Sequence, residues 1–277
     1  MDQLGNIDKK LRQIVDKLLL NGTLCDCPGL VHGKTGIAVF FFHYARYANN
    51  ELFEEYAMDL IEEIKFQIHN NSPADYERGI AGIGAGIDYL IKNNFVDADK
   101  DIFRDFDERM YRAVMYDPWQ DFSLYDGLSG YGRYWMIRLP SEKARACLLS
   151  ITKNIEEKFL KISEHEKNDI YCFLHELQRK SGFTLCAKLL KRYYNQSEEI
   201  FHRLGDSSVG NITRKYQKNQ YFNRNFQTPM QTSLYQLHDL EMEKRTSEIG
   251  LLNGYAGEGM LQLTSLDPNK LSWMNLL

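Results

Sequence analysis

The 277-residue chain lacks the charge pattern and the long apolar runs that characterise two large classes of protein. Its net charge is −4, and its short basic runs, such as Lys188–Arg192, have the spacing of a solvent-exposed helix face. Because neutralising phosphates requires clustered Lys and Arg, we expect no nucleic-acid partner. The longest apolar run, Ile37–Phe42, is too short to cross a bilayer, so we expect no insertion into a membrane.

Cysteine is also scarce, and the amino terminus lacks a basic segment followed by an apolar one. Five cysteines do not form a disulfide framework in a chain of this length. The start Met1-Asp2-Gln3 carries no sign of a secretion signal. We therefore expect a cytoplasmic protein with reduced cysteines.

Glycine, by contrast, recurs in a pattern. Four segments begin with Gly-x-x-Gly and continue with small or apolar residues: Gly33–Gly36, Gly79–Gly82, Gly127–Gly130 and Gly254–Gly257. The first three begin 46 and 48 residues apart, and the fourth begins 127 residues after the third. The long interval leaves room for about two less regular units. A period of this length is typical of repeated helix pairs.

Between the glycine segments, apolar residues recur at three- and four-residue intervals, which predicts amphipathic helices. These segments are Leu52–His69, Ile102–Met115, Ala144–Ile162 and Thr232–Lys244. The glycine-started segments are apolar on more sides, as in Ile37–Tyr47, which indicates helices packed on both faces. Each unit is thus predicted to contain one amphipathic outer helix and one glycine-started inner helix.

These repeats predict an all-α fold, an α/α toroid of about six to seven inner and outer helix hairpins, with residues 1–277 as a single domain. Glycine near a helix start favours a ring, because it lets backbones approach closely and leaves amide groups facing a central cavity. The units at about 165–217 are the least regular, and a seventh helix pair within 165–250 stays open. The polar stretch Asn211–Gln231 is expected to be a long loop, either a binding loop or a surface loop held by its aromatic residues.

The glycine segments and their flanking residues resemble the inner-helix motifs of the lanthionine synthetase C-like family. The resemblance rests on His-Gly-Lys-Thr-Gly at 32–36, Gly-Ile-Ala-Gly-Ile-Gly at 79–84, Tyr-Asp-Gly-Leu-Ser-Gly at 125–130 and Gly-Leu-Leu-Asn-Gly-Tyr-Ala-Gly at 250–257. It spans nearly the whole chain and is weakest between 138 and 250. It implies a toroid of seven inner and seven outer helices.

The family's enzymes add a cysteine thiol of a precursor peptide across a dehydroalanine or dehydrobutyrine, which closes a thioether ring. Two cysteines and a histidine hold a zinc ion that deprotonates the substrate thiol. The resemblance therefore implies a peptide substrate or precursor peptide as partner. It also implies other peptide-maturation enzymes as further partners.

The family's zinc-ligand motifs, one centred on cysteine and one reading Cys-His-Gly, are absent from this chain. None of the cysteines stands beside a His-Gly pair; they are Cys25, Cys27, Cys147, Cys172 and Cys186. We therefore expect neither a zinc cofactor nor another metal site. Two substitute ligand sets stay open, namely Cys172, His175 and Cys186, and Cys25, Cys27 and His32.

Three polar residues and a set of glycines are candidates for the cavity lining. Asp126 matches the cavity-facing aspartate of the family's Tyr-Asp-x-x-x-Gly motif, and its alternative role is an N-cap of the following helix. His32 precedes an inner helix, with a capping or packing role as its alternative. Asp88 lies within an inner helix, and its role is open. The glycines are Gly33, Gly36, Gly79, Gly82, Gly127, Gly130, Gly254 and Gly257.

We expect a protein of peptide modification that is catalytically degenerate and acts as a peptide-binding or scaffold component. Whether it is an enzyme stays open. One alternative is an active thioether-forming peptide cyclase with substitute zinc ligands. Another is a carbohydrate-active (α/α)-barrel enzyme, which needs two carboxylates facing each other, and Asp88 and Asp126 are the candidate pair.

Overall fold

The computed structural model describes residues 3–69, 71–98, 102–193, 202–222, 248–267 and 270–277, and within these ranges the chain is helical without a strand. The all-α prediction is confirmed. The helices are α1 (Gln3–Asn21), α2 (Lys34–Ala48), α3 (Glu51–Gln67), α4 (Ile80–Lys92), α5 (Arg104–Met115), α6 (Leu128–Ile137), α7 (Glu142–Glu157), α8 (Glu164–Ser181), α9 (Thr184–Tyr193), α10 (Ser208–Tyr221) and α11 (Tyr255–Leu266). Short 3-10 turns lie at Phe159–Lys161, His202–Leu204 and Ser272–Leu276.

The chain forms two compact units. Unit 1 contains Met1–His69, Lys92–Phe95 and Leu204–Leu277, and unit 2 contains Asn70–Ile91 and Val96–Arg203. In unit 1, α11 packs against α1 and α2, so both ends of the chain share one core. In unit 2, α6 packs against α7 and α8, and α9 packs against α8.

The helices that begin at the glycine segments are buried nearly all round. The buried stretch of α2 runs from Lys34 to Ala45 without a break, and that of α6 runs from Leu128 to Met136. In α4 the buried stretch covers Ile80–Ile87. A helix with no polar face must be covered on all sides, as predicted for the inner helices.

The helices between them bury a single stripe. In α3 the buried residues are Ala57, Leu60, Ile61 and Ile64. In α7 they are Ala144, Cys147, Leu148, Ile151, Thr152 and Ile155. These three- and four-residue intervals place the buried side chains on one helix face. The predicted alternation of fully buried and amphipathic helices is therefore observed in the described chain.

One backbone pattern recurs where the fully buried helices begin. The N–H of the first helical residue donates to the carbonyl seven residues earlier, so the intervening loop folds back over the helix start. The four pairs are Lys34 to Cys27 at 2.9 Å, Ile80 to Pro73 at 2.9 Å, Leu128 to Asp121 at 2.9 Å and Tyr255 to Glu248 at 3.1 Å. This bond satisfies one of the amides that a helix start leaves without an intrahelical partner.

The prediction of a loop at 211–231 is wrong for its first half, because residues 211–221 belong to α10. The Ser207 side chain accepts from the Gly210 N–H at 3.0 Å and caps this helix. A Cβ on Gly210 would overlap the Leu204 carbonyl, six residues earlier, as one on Gly130 would overlap the Leu124 carbonyl. α10 therefore begins as the other repeats do, with serine in place of the first glycine. Residues 223–231 and the predicted helix Thr232–Lys244 lie outside the described residues.

In the part of the chain that the structure describes, no helix combines the length and apolar character needed to span a membrane.

Candidate functional site

Neighbouring repeat loops are joined by a shared backbone contact. In unit 2, the Tyr125 carbonyl accepts from the N–H groups of Tyr76 at 2.8 Å and Glu77 at 3.2 Å. This contact ties the loop before α4 to the loop before α6. It fixes the relative position of the two helix starts, and a pocket of about 780 Å³ opens beside them.

Segments from three parts of unit 2 line this pocket. The charged lining residues are Asp75, Arg109, Arg112, Asp117 and Asp126. The aromatic lining residues are Tyr116, Trp119 and Tyr131. The pocket lies within the usual size range of small-molecule sites, about 300–1,000 Å³. We refer to it as the unit 2 pocket.

Asp126 is the predicted site residue that the structure places in this pocket. The N-cap of α6 is Gly127, without a side-chain cap, so the alternative in which Asp126 caps the helix is wrong. Asp75 instead stabilises the loop before the preceding inner helix, since its Oδ1 accepts from the N–H groups of Arg78 at 2.7 Å and Gly79 at 3.2 Å. The Asp126 carboxylate is exposed and accepts no hydrogen bond within the described residues.

The electrostatic surroundings of Asp126 are acidic. Partial desolvation raises the pKa of its carboxyl, and the nearby carboxylates of Glu77, Asp75 and Asp121 raise it further, against the opposing effect of Arg78. The local potential therefore favours a positively charged partner. A cluster of carboxylates creates a negative potential that attracts a cation.

Tyr131 lines the pocket together with carboxylates and an arginine that affect its hydroxyl. Burial raises the pKa of its hydroxyl to about 12, and Asp75 and Asp126 raise it while Arg109 lowers it. The hydroxyl is therefore protonated at neutral pH and can donate a hydrogen bond. Arg109 donates from Nε to the Ser72 carbonyl at 3.0 Å, which holds its guanidinium in position.

The aromatic part of the pocket is open to solvent. Tyr116 is 76% exposed and Trp119 is 56% exposed, whereas Trp135 and Trp273 are fully buried. Large aromatic side chains exposed beside a cavity are typical of binding surfaces. Of the three tryptophans in the sequence, Trp119 alone lines the pocket.

A buried ionic cluster, which sequence reasoning missed, holds the loop that carries Asp126. Asp169 of α8 accepts from the Leu124 N–H at 2.8 Å and pairs with Arg203. Glu166 accepts from the Phe122 N–H at 2.7 Å. A buried carboxylate needs such partners to offset its desolvation. Because α8 departs from the glycine pattern, only the fold brings these groups to the loop.

The other candidate residues lie away from the unit 2 pocket. His32 is half-buried in unit 1 beside Gly250, and Asp88 is half-buried on α4 and does not line the pocket. All eight predicted glycines are buried, and none lines it. Their expected place in a central cavity stays a prediction. Gly36 and Gly257 lie in close contact with loop backbone. A Cβ on Gly36 would overlap the Leu30 carbonyl, and one on Gly257 would overlap the Leu251 carbonyl.

The zinc-ligand alternatives do not fit the side chains that would form them. Cys172 is buried, and burial raises the pKa of its thiol far above its usual value. Cys186 is also buried, and burial raises the pKa of its thiol to about 11. The Cys25 thiol donates to the Cys27 carbonyl at 3.5 Å. Across the described ranges, no three His, Cys, Asp or Glu side chains come together as metal ligands.

Sequence reasoning also missed Asp75, Arg109, Tyr131 and Trp119 as pocket residues. One signal was present, because Arg109 and Arg112 are three residues apart on a predicted helix and so share a face. No comparable signal linked them to Asp126. A comparison with models of known protein families finds no match for the chain, and a comparison with curated proteins finds none either.

Proposed function

We propose that this protein is a lanthionine synthetase C-like α/α toroid that serves peptide modification in the cytoplasm as a peptide-binding or scaffold component. In this proposal the unit 2 pocket holds a segment of the peptide. The lining of the pocket supports this proposal, because exposed aromatic rings lie there beside charged groups of both signs. Peptide segments present this mixture of apolar surface, charge and backbone polarity.

The loop contacts support the toroidal part of the proposal. In unit 1 the Val31 carbonyl accepts from the N–H groups of Leu251 at 2.8 Å and Leu252 at 3.2 Å. The acceptor lies two residues before the helix-start glycine of the first repeat, as Tyr125 does in the third. The last repeat is therefore joined to the first as the second is joined to the third. A toroid requires a contact of this kind between its first and last repeats.

The positions of the cysteines support a role without thioether chemistry. Cys147, Cys172 and Cys186 are buried, burial raises the pKa of each thiol, and the zinc-ligand motifs are missing from the sequence. A zinc cyclase needs thiolates at an open metal position. We therefore propose binding of a precursor peptide, with other peptide-maturation enzymes as further partners.

Binding is tested with a short linear peptide that contains one dehydroalanine and one cysteine. Because Trp119 is the exposed tryptophan and the other two are buried, its fluorescence should change when the pocket fills. We expect saturable binding with a dissociation constant on the order of 10 µM. The Trp119→Phe variant should lose the fluorescence signal while binding measured by calorimetry persists. Absence of binding to the wild-type protein would contradict the proposal.

Loss of chemistry is tested on the same peptide with zinc supplied. The free thiol should remain open to alkylation after incubation with the protein. Zinc-dependent loss of that thiol without a change in peptide mass would support the active cyclase instead.

An oligosaccharide ligand is a second candidate, favoured by the aromatic rings and carboxylates that share the pocket. Asp126 lines it together with Asp75 and Asp117, whereas Asp88 does not. A glycosidase needs an acid and a second carboxylate across the scissile bond. Release of reducing sugar from a panel of oligosaccharides, abolished in Asp126→Asn, would favour this function over peptide binding.

A further inference from the structure

The charged groups of the unit 2 pocket come from different elements and differ in sign. Asp75 and Asp126 lie on the loops before α4 and α6, while Arg109 and Arg112 lie on one face of α5. Burial raises the pKa of the Tyr131 hydroxyl, the carboxylates of Asp75, Asp126 and Asp117 raise it further, and Arg109 lowers it. The pocket thus presents carboxylates and guanidinium groups from different segments of the chain.

Asp126 and Arg109 line the same pocket, yet across the described ranges they do not pair with each other. Arg109 donates from Nε to the Ser72 carbonyl, and its two Nη groups have no recorded partner in that part of the chain. The carboxylates of Asp126 and Asp117 likewise accept no hydrogen bond there. Charged groups kept apart across a cavity are available to a ligand that carries both signs.

The aromatic rings fit the positive end of such a ligand. Tyr116 and Trp119 line the pocket that Asp126 also lines, and both are largely exposed. An ammonium or guanidinium group is attracted to an aromatic face, and the methylene stem of Lys or Arg packs against a ring. A carboxylate on the ligand has its matching partners in Arg109 and the Tyr131 hydroxyl.

We propose that the unit 2 pocket recognises a basic side chain and a carboxylate on the same peptide. Asp126 binds the basic group beside the rings of Tyr116 and Trp119, and Arg109 with the Tyr131 hydroxyl binds the carboxylate. This inference rests on the proposed function and adds the chemistry of the peptide. The carboxylate comes either from an acidic side chain or from the peptide's C-terminus.

The test uses short fluorescein-labelled peptides of one length with a neutral Gly/Ser background. One carries Lys next to Asp with an amidated C-terminus, and another carries Lys at a free C-terminus. Three amidated controls carry Lys alone, Asp alone or neither. Fluorescence anisotropy with the full-length protein should show one of the first two binding at least about tenfold more tightly than every control. Which of the two binds identifies the source of the carboxylate.

Matched variants assign the two ends of the peptide. Asp126→Asn should remove the advantage of Lys-containing peptides, and Arg109→Gln should remove the advantage of the carboxylate. Asp206→Asn is the control for the first, because Asp206 lies at the equivalent position before α10 and is exposed outside the pocket. Arg104→Gln is the control for the second, as an exposed arginine on the same helix. Both controls should bind as wild type, and circular dichroism should show that all four variants are folded.

Two outcomes separate this inference from the proposed function. If the dehydroalanine peptide binds but the charged peptides have no advantage over the neutral one, the charge-pair inference is wrong and peptide binding stands. If neither the dehydroalanine peptide nor any charged peptide binds, both proposals fail. An affinity that is unchanged in Asp126→Asn and Arg109→Gln would also overturn the inference.

Discussion

At the residue scale, Asp75 and Asp126 show that a side chain's role depends on the path of its loop. Each precedes an inner helix by only a few residues. Asp75 is four residues before the helix-start glycine, and its carboxylate reaches the amides of Arg78 and Gly79. Asp126 stands directly before Gly127, and its exposed carboxylate accepts no hydrogen bond within the described residues. A carboxylate that accepts no hydrogen bond from the protein is available to a ligand, and for this reason we propose that Asp126 binds the peptide.

His43 on α2 makes the stability of unit 1 depend on pH. Its side chain is buried against Phe95, and the two ring centroids are 4.7 Å apart. Burial lowers its pKa from 6.5 to about 3, and the positive charges of Lys270 and Arg46 contribute. The unfolded chain therefore binds a proton on this histidine more readily than the folded protein does.

We expect His43 to stabilise the fold fully above pH 6.5 and to lose this contribution as the pH falls towards about 3. The free energy of unfolding should decline by about 1.4 kcal/mol per pH unit in that window because of this group. Urea unfolding at several pH values, compared between wild type and His43→Gln, isolates the contribution. The difference between the two proteins should shrink as the pH falls; a constant difference would contradict the assignment.

At the element scale, the helix starts explain why glycine recurs. In each glycine-led repeat, a loop folds back so that its carbonyl reaches the first helical amide, and the loop backbone lies against the first glycine. At Gly130 a Cβ would overlap the Leu124 carbonyl and the side chain of Tyr76. Glycine therefore recurs because these positions leave no room for a side chain where the loop backbone lies against the helix start.

Replacing Gly130 with alanine should destabilise the protein although alanine favours helices. We expect a loss of about 1–3 kcal/mol, because the added methyl group meets backbone that cannot move freely. Gly5→Ala on α1 is the matched control, since a Cβ there would meet no atom within 4 Å. It should be neutral or stabilising by up to about 1 kcal/mol. Urea unfolding of both variants checks this, and equal effects would refute the close-contact explanation.

At the scale of the whole molecule, unit 1 combines the first and last parts of the chain. Trp273, four residues from the C-terminal end of the sequence, is fully buried and donates from Nε1 to Thr264 Oγ1 at 3.0 Å. The turn that contains it packs against α10, and α11 packs against α1 and α2. The core of unit 1 therefore depends on contacts between residues more than 200 positions apart.

Trp273→Ala should cost about 3–5 kcal/mol, because it removes a fully buried indole and leaves a cavity. We expect amide hydrogen exchange to accelerate in α1 and α2 as well as in α11, since all three share this core. Trp119→Ala removes an exposed tryptophan and should change stability by less than about 0.5 kcal/mol. Acceleration restricted to the last residues of the chain would show that the two ends do not stabilise each other.

The order of the residues was enough to predict the helical fold, the alternation of fully buried and amphipathic helices, and the helix starts at Gly33, Gly79, Gly127 and Gly254. Periodic burial and loop-to-helix hydrogen bonds depend on residues close together in the chain. They can therefore be predicted from the local order of residues. The prediction missed α10, because serine replaces the first glycine there and the polar residues that follow conceal its helical period.

Only the tertiary structure decided which polar residues meet. Three segments line the unit 2 pocket. The loop before α4 contributes Asp75, and α5 with the segment after it contributes Arg109 and Trp119. The start of α6 contributes Asp126 and Tyr131. Asp88 and His32, equally plausible in sequence, lie elsewhere. The physical reason is that a pocket forms where three segments pack without filling the space between them. That depends on the register between the repeats of unit 2, which the Tyr125 carbonyl contacts set and no local pattern encodes.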